Sequence, residues 1–232
     1  MRTTAVLTAM SLSLALLLPG CSRDSTGESV EMRQAREAMV LRLSQQWGVK
    51  DKRVLAAVSR VPRQGFLPEN MRPHSYTDNC LLLGGGQALC SPVLIARALE
   101  ELNPQTKHNV LMVNIDSAYP AAVASHMSKR VYVIVMTNTK QAIIAQQVAT
   151  LGLSNVEVRA CDTAQGYGAG APYKCVMLNS ASMRIPDRIV EQSDPDGVIV
   201  QFAEPYATDL RVTHLVDREP SRAKVVSLTG GR

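Results

Sequence analysis

The sequence predicts a doubly wound α/β domain of three layers, preceded by a helical cap and closed by an antiparallel strand pair. Three observations lead there. From Asn109 onward, short strand-like runs alternate with helix-like segments, the pattern of parallel strands joined by crossover helices. Val110–Val113 is a continuous apolar run, as a strand buried on both faces requires. Directly after it, Asn114–Ala118 makes a tight turn into Ala-rich Tyr119–Ser125, where Pro120 suits a first helical turn.

The chain opens on Met1–Thr4, followed by the uncharged run Ala5–Leu18 and then Leu18-Pro19-Gly20-Cys21. This is shorter than the ~20 apolar residues a spanning helix needs, and it has the layout of a secretory signal peptide. The placement of Cys21 resembles the lipobox of bacterial lipoproteins, although Pro19 is a less usual choice; an ordinary signal peptide with an incidental cysteine is the alternative. On the first reading, 1–20 is removed, Cys21 carries the lipid, 21–30 is a polar tether and 31–232 is the domain. The expected location is then a bacterial cell envelope, with the membrane as partner. Ser22 after the cysteine favours the outer membrane.

Arg2 is the one charged residue in 1–20, so the remainder carries 24 Lys and Arg against 20 Asp and Glu. That small excess is scattered, and two Phe with one Trp offer no stacking platform, so nucleic-acid binding is excluded as a reading. The four cysteines after Cys21 show no C-x-x-C spacing, and no metal site is expected.

Apolar residues at Met32, Ala35, Met39, Val40 and Leu43 predict an amphipathic helix over Glu31–Trp47. A second helix runs over Asp51–Val61, capped by Asp51 and stopped by Pro62. Gln64–Tyr76 reads as loop, and Cys80–Cys90 as a hairpin about Gly84-Gly85-Gly86. Pro92–Leu102 is helix. Strands are then expected at Val110–Ile115, Val131–Val135, Val156–Arg159, Tyr173–Leu178 and Val198–Phe202, with helices Tyr119–Met127, Thr139–Leu151 and Asp187–Glu191 between them. Leu210–Val216 and Lys224–Leu228 form the closing antiparallel pair.

From about Met39 to Gly231 the chain resembles the protein-L-isoaspartate O-methyltransferases. The resemblance is carried by Val61-Pro62-Arg63, Phe66-x-Pro68, Tyr76-x-Asp78, Gly84-x-Gly86-Gln87, Asn155-Val156-x-Val158-Arg159, Asp162, Ala171-Pro172-Tyr173, Ile185-Pro186 and Leu228-Thr229-Gly230. It implies a Rossmann-like methyltransferase sheet, and a family activity of methyl transfer from S-adenosylmethionine to isoaspartyl carboxylates in damaged proteins. Fold does not by itself carry that activity over.

The departures fall on the cofactor. The family's glycine-rich turn is occupied by Asn114, Asp116 and Ala118, and the acid that holds the ribose by Val135, while Asp162 near the adenine is retained. The family's active-site serine aligns with Cys90, beside Asp78, Gln87 and Ser91. An aspartate facing the cofactor's methionine carboxylate costs ~1 kcal/mol in water-like surroundings and ~4 kcal/mol at a protein-like dielectric. Losing the ribose acid removes charged hydrogen bonds of ~1.5–3 kcal/mol each. The expectation is a pseudoenzyme that does not bind S-adenosylmethionine and binds peptide segments at the hairpin cleft. An active repair methyltransferase with an unusual pocket is the alternative.

Blander roles stand beside these. No histidine motif accompanies Cys90, Asp78 and Gln87 serve equally to hold the hairpin, and Asp162 suits a turn cap. Cys80 and Cys90 lie five residues either side of Gly85, which sets them opposite each other and predicts a disulfide in an oxidising compartment.

Overall fold

Ser29 fixes where the first helix starts. Its hydroxyl accepts from the Met32 N–H at 3.2 Å, capping α1 (Val30–Gln45), and Met39 and Leu43, one turn apart, are its buried residues. The computed structural model describes residues 28–180, 182, 184–203 and 207–228. The expected signal peptide, Cys21 and most of the expected tether lie outside these residues. The helix ends two residues before the predicted Trp47. Asp51 caps α2 (Lys52–Arg60) by accepting from Arg53 N–H at 2.8 Å. The segment expected as loop contains two 3-10 turns, Arg63–Phe66 and Glu69–His74, which lack the 3.6-residue apolar period that marks a helix in sequence.

The hairpin pairs β1 (Leu81–Gly84) with β2 (Gln87–Leu89), Leu81 opposite Leu89 and Leu82 opposite Ala88. Ser91 then caps α3 (Pro92–Leu102), with Pro92 in the first turn, where its missing N–H costs nothing.

The main sheet follows in chain order: β3 (Asn109–Val113), α4 (Tyr119–Ser125), β4 (Arg130–Val135), α5 (Asn138–Thr150), β5 (Val156–Ala160), β6 (Tyr173–Asn179), α6 (Asp187–Glu191), β7 (Ser193–Phe202), β8 (Asp209–Val216), β9 (Glu219–Pro220) and β10 (Lys224–Ser227). Across the sheet the order is β10-β8-β7-β6-β3-β4-β5, with the two-residue β9 paired to β8. The five strands from β7 to β5 are parallel, and β8 and β10 run antiparallel at one edge, the predicted closing pair.

Side-chain alternation divides the core in two. Val110 and Met112 share one face with Val131, Val133, Cys175, Met177 and Val200, and α1 to α5 cover it through residues such as Leu43, Val54, Leu99, Val123 and Ile144. Leu111, Val113, Ile134, Val176 and Leu178 share the other, covered by Ile189 of α6 and by the crossover from β5 to β6. The three layers are therefore unequal. In the thin one, Tyr132 meets Tyr173 at 5.7 Å and Tyr167 at 5.9 Å between ring centroids. Gly170 is obligatory there, because a Cβ would sit 2.4 Å from the Tyr132 ring.

Leu99 is fully buried at the middle of the thick layer. Leu99→Ala is expected to cost about 2–5 kcal/mol, seen as a lower urea midpoint at unchanged m-value.

Candidate functional site

In an open α/β sheet, ligands sit at the carboxyl ends of the strands where the winding reverses. Here that point lies between β3 and β6, since β4 and β5 continue to one side and β6 and β7 to the other. Asn114 follows β3 directly and has φ +57°, the left-handed region that the family's glycine enters freely. Asparagine tolerates this conformation better than most residues. Its N–H donates to the Ile134 carbonyl (2.8 Å) and its side-chain amide to Thr163 Oγ1 (3.2 Å). Its carbonyl accepts from Asn179 Nδ2 at 3.1 Å, across the switch point. The backbone of the cradle is thus kept without a glycine.

Its lining is different. Residues from Ile115 to Pro120 are all buried. Asp116 forms an ion pair with Lys140 of α5, so the unpaired negative charge expected from the sequence is neutralised by a residue that the sequence reading missed. The Ala118 N–H, at the entry to α4, donates to Gln147 Oε1 at 2.8 Å. Val135 is fully buried in the thick-layer core and offers no acceptor for a ribose. Asp162 accepts from the Ala164 N–H at 3.0 Å and caps the short turn Thr163–Gln165.

On the hairpin side, Asp78 receives Arg42 through Nε (3.1 Å) and Nη2 (3.0 Å) and the Trp47 indole N–H (3.0 Å). Ser91 caps α3 and donates to the Asp78 carbonyl at 2.7 Å. These two residues tie α1, the hairpin and α3 together. Gln87 is half-buried opposite Gly84. Cys90 is fully buried in the core, out of a substrate's reach. The register extrapolates to Cys80 opposite Cys90, yet the structure holds them as thiols rather than as the expected disulfide; Cys80 lies outside the ladder, half-buried, while Cys90 is sunk in the core.

Arg63 joins the cap to the cradle. It is fully buried, donates from Nε to Ser75 O (2.8 Å) and from Nη2 to Leu89 O (3.4 Å), and lies 4.7 Å from the Tyr119 ring centroid. Burial lowers the proton affinity of its guanidinium and raises that of the Tyr119 phenol. Phe66 meets the same tyrosine edge-on at 5.6 Å. Cavities lie elsewhere, among them one of about 480 Å³ beside Trp47, Arg97 and Glu100. One of about 290 Å³, lined by Arg53, Arg60 and His126 among others, opens at the amino ends of β3 and β4. Another, of about 350 Å³, lies beside Ser180, Gln201 and Asp209. Among the described residues, no group of three or more His, Cys, Asp or Glu could hold a metal ion, and no helix is long and apolar enough to cross a membrane.

Sheet order, switch point and cradle turn define a Rossmann-like methyltransferase fold. The chain belongs to the protein-L-isoaspartate(D-aspartate) O-methyltransferase family, whose profile matches residues 33–225. It is 33% identical over 198 residues to protein-L-isoaspartate O-methyltransferase 1 of Rhodopseudomonas palustris (strain HaA2), covering 85% of this chain and 78% of that one. It is 36% identical over 176 residues to the enzyme of Xanthobacter autotrophicus (strain ATCC BAA-1158 / Py2), covering 76% and 80%. A solved protein-L-isoaspartate O-methyltransferase superimposes with a TM-score of 0.70 at 20% identity, over 84% of this chain and 66% of that one. A putative Plasmodium falciparum member in complex with S-adenosyl-L-homocysteine gives 0.65 at 15% identity, over 84% and 99%.

Asn114 is the residue on which the turn rests. Asn114→Ala is expected to lower stability by about 1–2 kcal/mol, from left-handed strain and the lost bond to Thr163. Asn114→Gly should lose less. Thermal unfolding checks the order; an alanine variant as stable as the glycine one contradicts it.

Proposed function

We propose that this family member is catalytically degenerate and serves as a lipid-anchored binding module of a bacterial envelope, engaging peptide segments beside the hairpin. One observation carries the reading: the groups that a cofactor needs at the cradle are consumed by the chain itself. Gln147 takes the Ala118 N–H, Lys140 takes the Asp116 carboxylate, and Asn179 takes the Asn114 carbonyl.

The family uses S-adenosylmethionine, and the residues present do not fit it. A methionine carboxylate needs uncommitted backbone donors on an open turn, and this turn is buried. A ribose diol needs a carboxylate at the end of the second parallel strand, and Val135 stands there, buried. The ribose bonds alone are worth about 1.5–3 kcal/mol each. The Asp116–Lys140 pair removes the charge repulsion but adds a cost, because opening it strands a nearly buried charge.

Titration calorimetry with S-adenosylmethionine tests the reading. The expected dissociation constant is weaker than about 1 mM, or roughly −4 kcal/mol. Micromolar binding, or methyl transfer to an isoaspartyl peptide, sinks it and establishes an active repair methyltransferase instead. The combined change Asn114→Gly, Asp116→Gly, Ala118→Gly and Val135→Glu is expected to raise affinity.

The anchor rests on Leu18-Pro19-Gly20-Cys21 following an apolar run. Cys21→Ala is expected to move the protein from the membrane fraction to the soluble or unprocessed one. A wild-type protein that is soluble and begins elsewhere contradicts the anchor.

A further inference from the structure

We infer that the cavity at the carboxyl end of β7 binds a free α-amino acid with an apolar side chain, Arg211 taking its carboxylate and Gln201 its ammonium group. The cavity measures about 350 Å³, and Ser180, Ser182, Gln201, Asp209, Arg211 and Val225 are among its lining residues. Sheet register aligns three of them in one row. Gln201 of β7 stands opposite Arg211 of β8, and Arg211 stands opposite Val225 of β10. All three alternate along their strands with residues of the thick-layer core, Val200, Leu210, Val212 and Val226, so they share the thin face. α6 covers that face over β6, and at the β10 edge it is bare, with Val225 67% exposed.

Two buried polar atoms of this row lack a partner among the described residues: Gln201 Oε1, an acceptor, and Arg211 Nε, a donor. Gln201 is 4% exposed and donates from Nε2 to the Ser182 carbonyl at 3.3 Å. That bond sets the amide, because turning it over would bring two oxygens face to face. Asp209, two residues away on the same face of β8, accepts from the Thr208 hydroxyl at 3.1 Å and not from the guanidinium. Acceptor and donor therefore stand on opposed residues without bonding each other. Each has given up water and gained nothing for it within the fold.

The complement of this pair is a zwitterion. An arginine Nε–H pairs best with a carboxylate, which takes it together with a neighbouring N–H of the same fork. An amide oxygen repels a carboxylate and accepts from an ammonium group. An α-amino acid carries both charges on one carbon. Directly opposed residues of antiparallel strands have Cβ atoms about 4.5–5.5 Å apart, close enough for one small molecule to reach both side chains. Asp209 lines the same cavity and adds the negative charge that an ammonium favours.

Phe202, Ala207 and Val225 also line the cavity, which suits an apolar side chain on the ligand. None of these groups belongs to the cradle turn, so the site works whether or not that turn admits a cofactor.

Titration calorimetry of the full chain with L-valine tests the site. The expected dissociation constant is below about 1 mM. N-acetyl-L-valine, which lacks the ammonium and resembles a peptide carboxyl end, should bind at least about tenfold more weakly. L-valinamide, which lacks the carboxylate and resembles an amino end, should lose at least about as much. Arg211→Lys and Gln201→Leu are each expected to weaken valine binding by about tenfold or more. Gln201→Leu should do so with a thermal midpoint no lower than wild type, since it removes a buried oxygen that has no partner. If circular dichroism shows a variant unfolded, the two analogues decide on the wild-type protein. A dissociation constant for L-valine above about 10 mM overturns the inference. So does an analogue that binds as tightly as valine, or folded variants that bind valine as wild type does.

Discussion

A strand buried on both faces has to satisfy its backbone where it ends, because no water is available to do it. β3 meets this condition at Asn114, whose amide, side chain and carbonyl bond to β4, to the turn after β5 and to the end of β6. One left-handed residue thereby joins every strand around the switch point. The chain holds at Asn114 the left-handed conformation that a glycine enters freely, and the turn that follows it is buried.

The bonds that hold the turn are distributed. Lys140 and Gln147 both come from α5, at positions 24 and 29 residues beyond their partners Asp116 and Ala118. Arg63, Phe66 and Tyr119 seal the cap against α4 from the other side. Each contact is ordinary in strength. Together they commit polar groups of the turn to the fold.

Elements with a clear apolar period were legible in the sequence: α2, α3, the parallel strands and the edge pair all lie within a few residues of where periodicity puts them. The turns over Arg63–His74 were not, since a 3-10 turn repeats too briefly to leave a pattern. At the site, Asn114, Asp116, Ala118 and Val135 were identifiable because they depart from the family's residues at positions fixed by the strands. The partners Lys140 and Gln147 were invisible, since α5 is brought against the turn by tertiary structure. Asp78 shows the converse. The sequence left it open between a cleft residue and a hairpin anchor, and Arg42 and Trp47, 36 and 31 residues earlier in the chain, use both its oxygens. Thr163 and Asn179 carried one usable signal, their place at the carboxyl ends of strands next to the reversal.

The unequal layers bear on how the domain comes apart. On its thin side, α6 and the tyrosine-bearing crossover lie over Val176 and Leu178 of β6, a central strand rather than an edge. Lifting that layer wets apolar residues in the middle of the sheet. Amide protons of α6 and of β6 should therefore exchange together, as one cooperative unit, whereas the hairpin and the β10 edge open on their own. One short helix and one crossover, placed over the centre, cover the thin face where several helices share the opposite one.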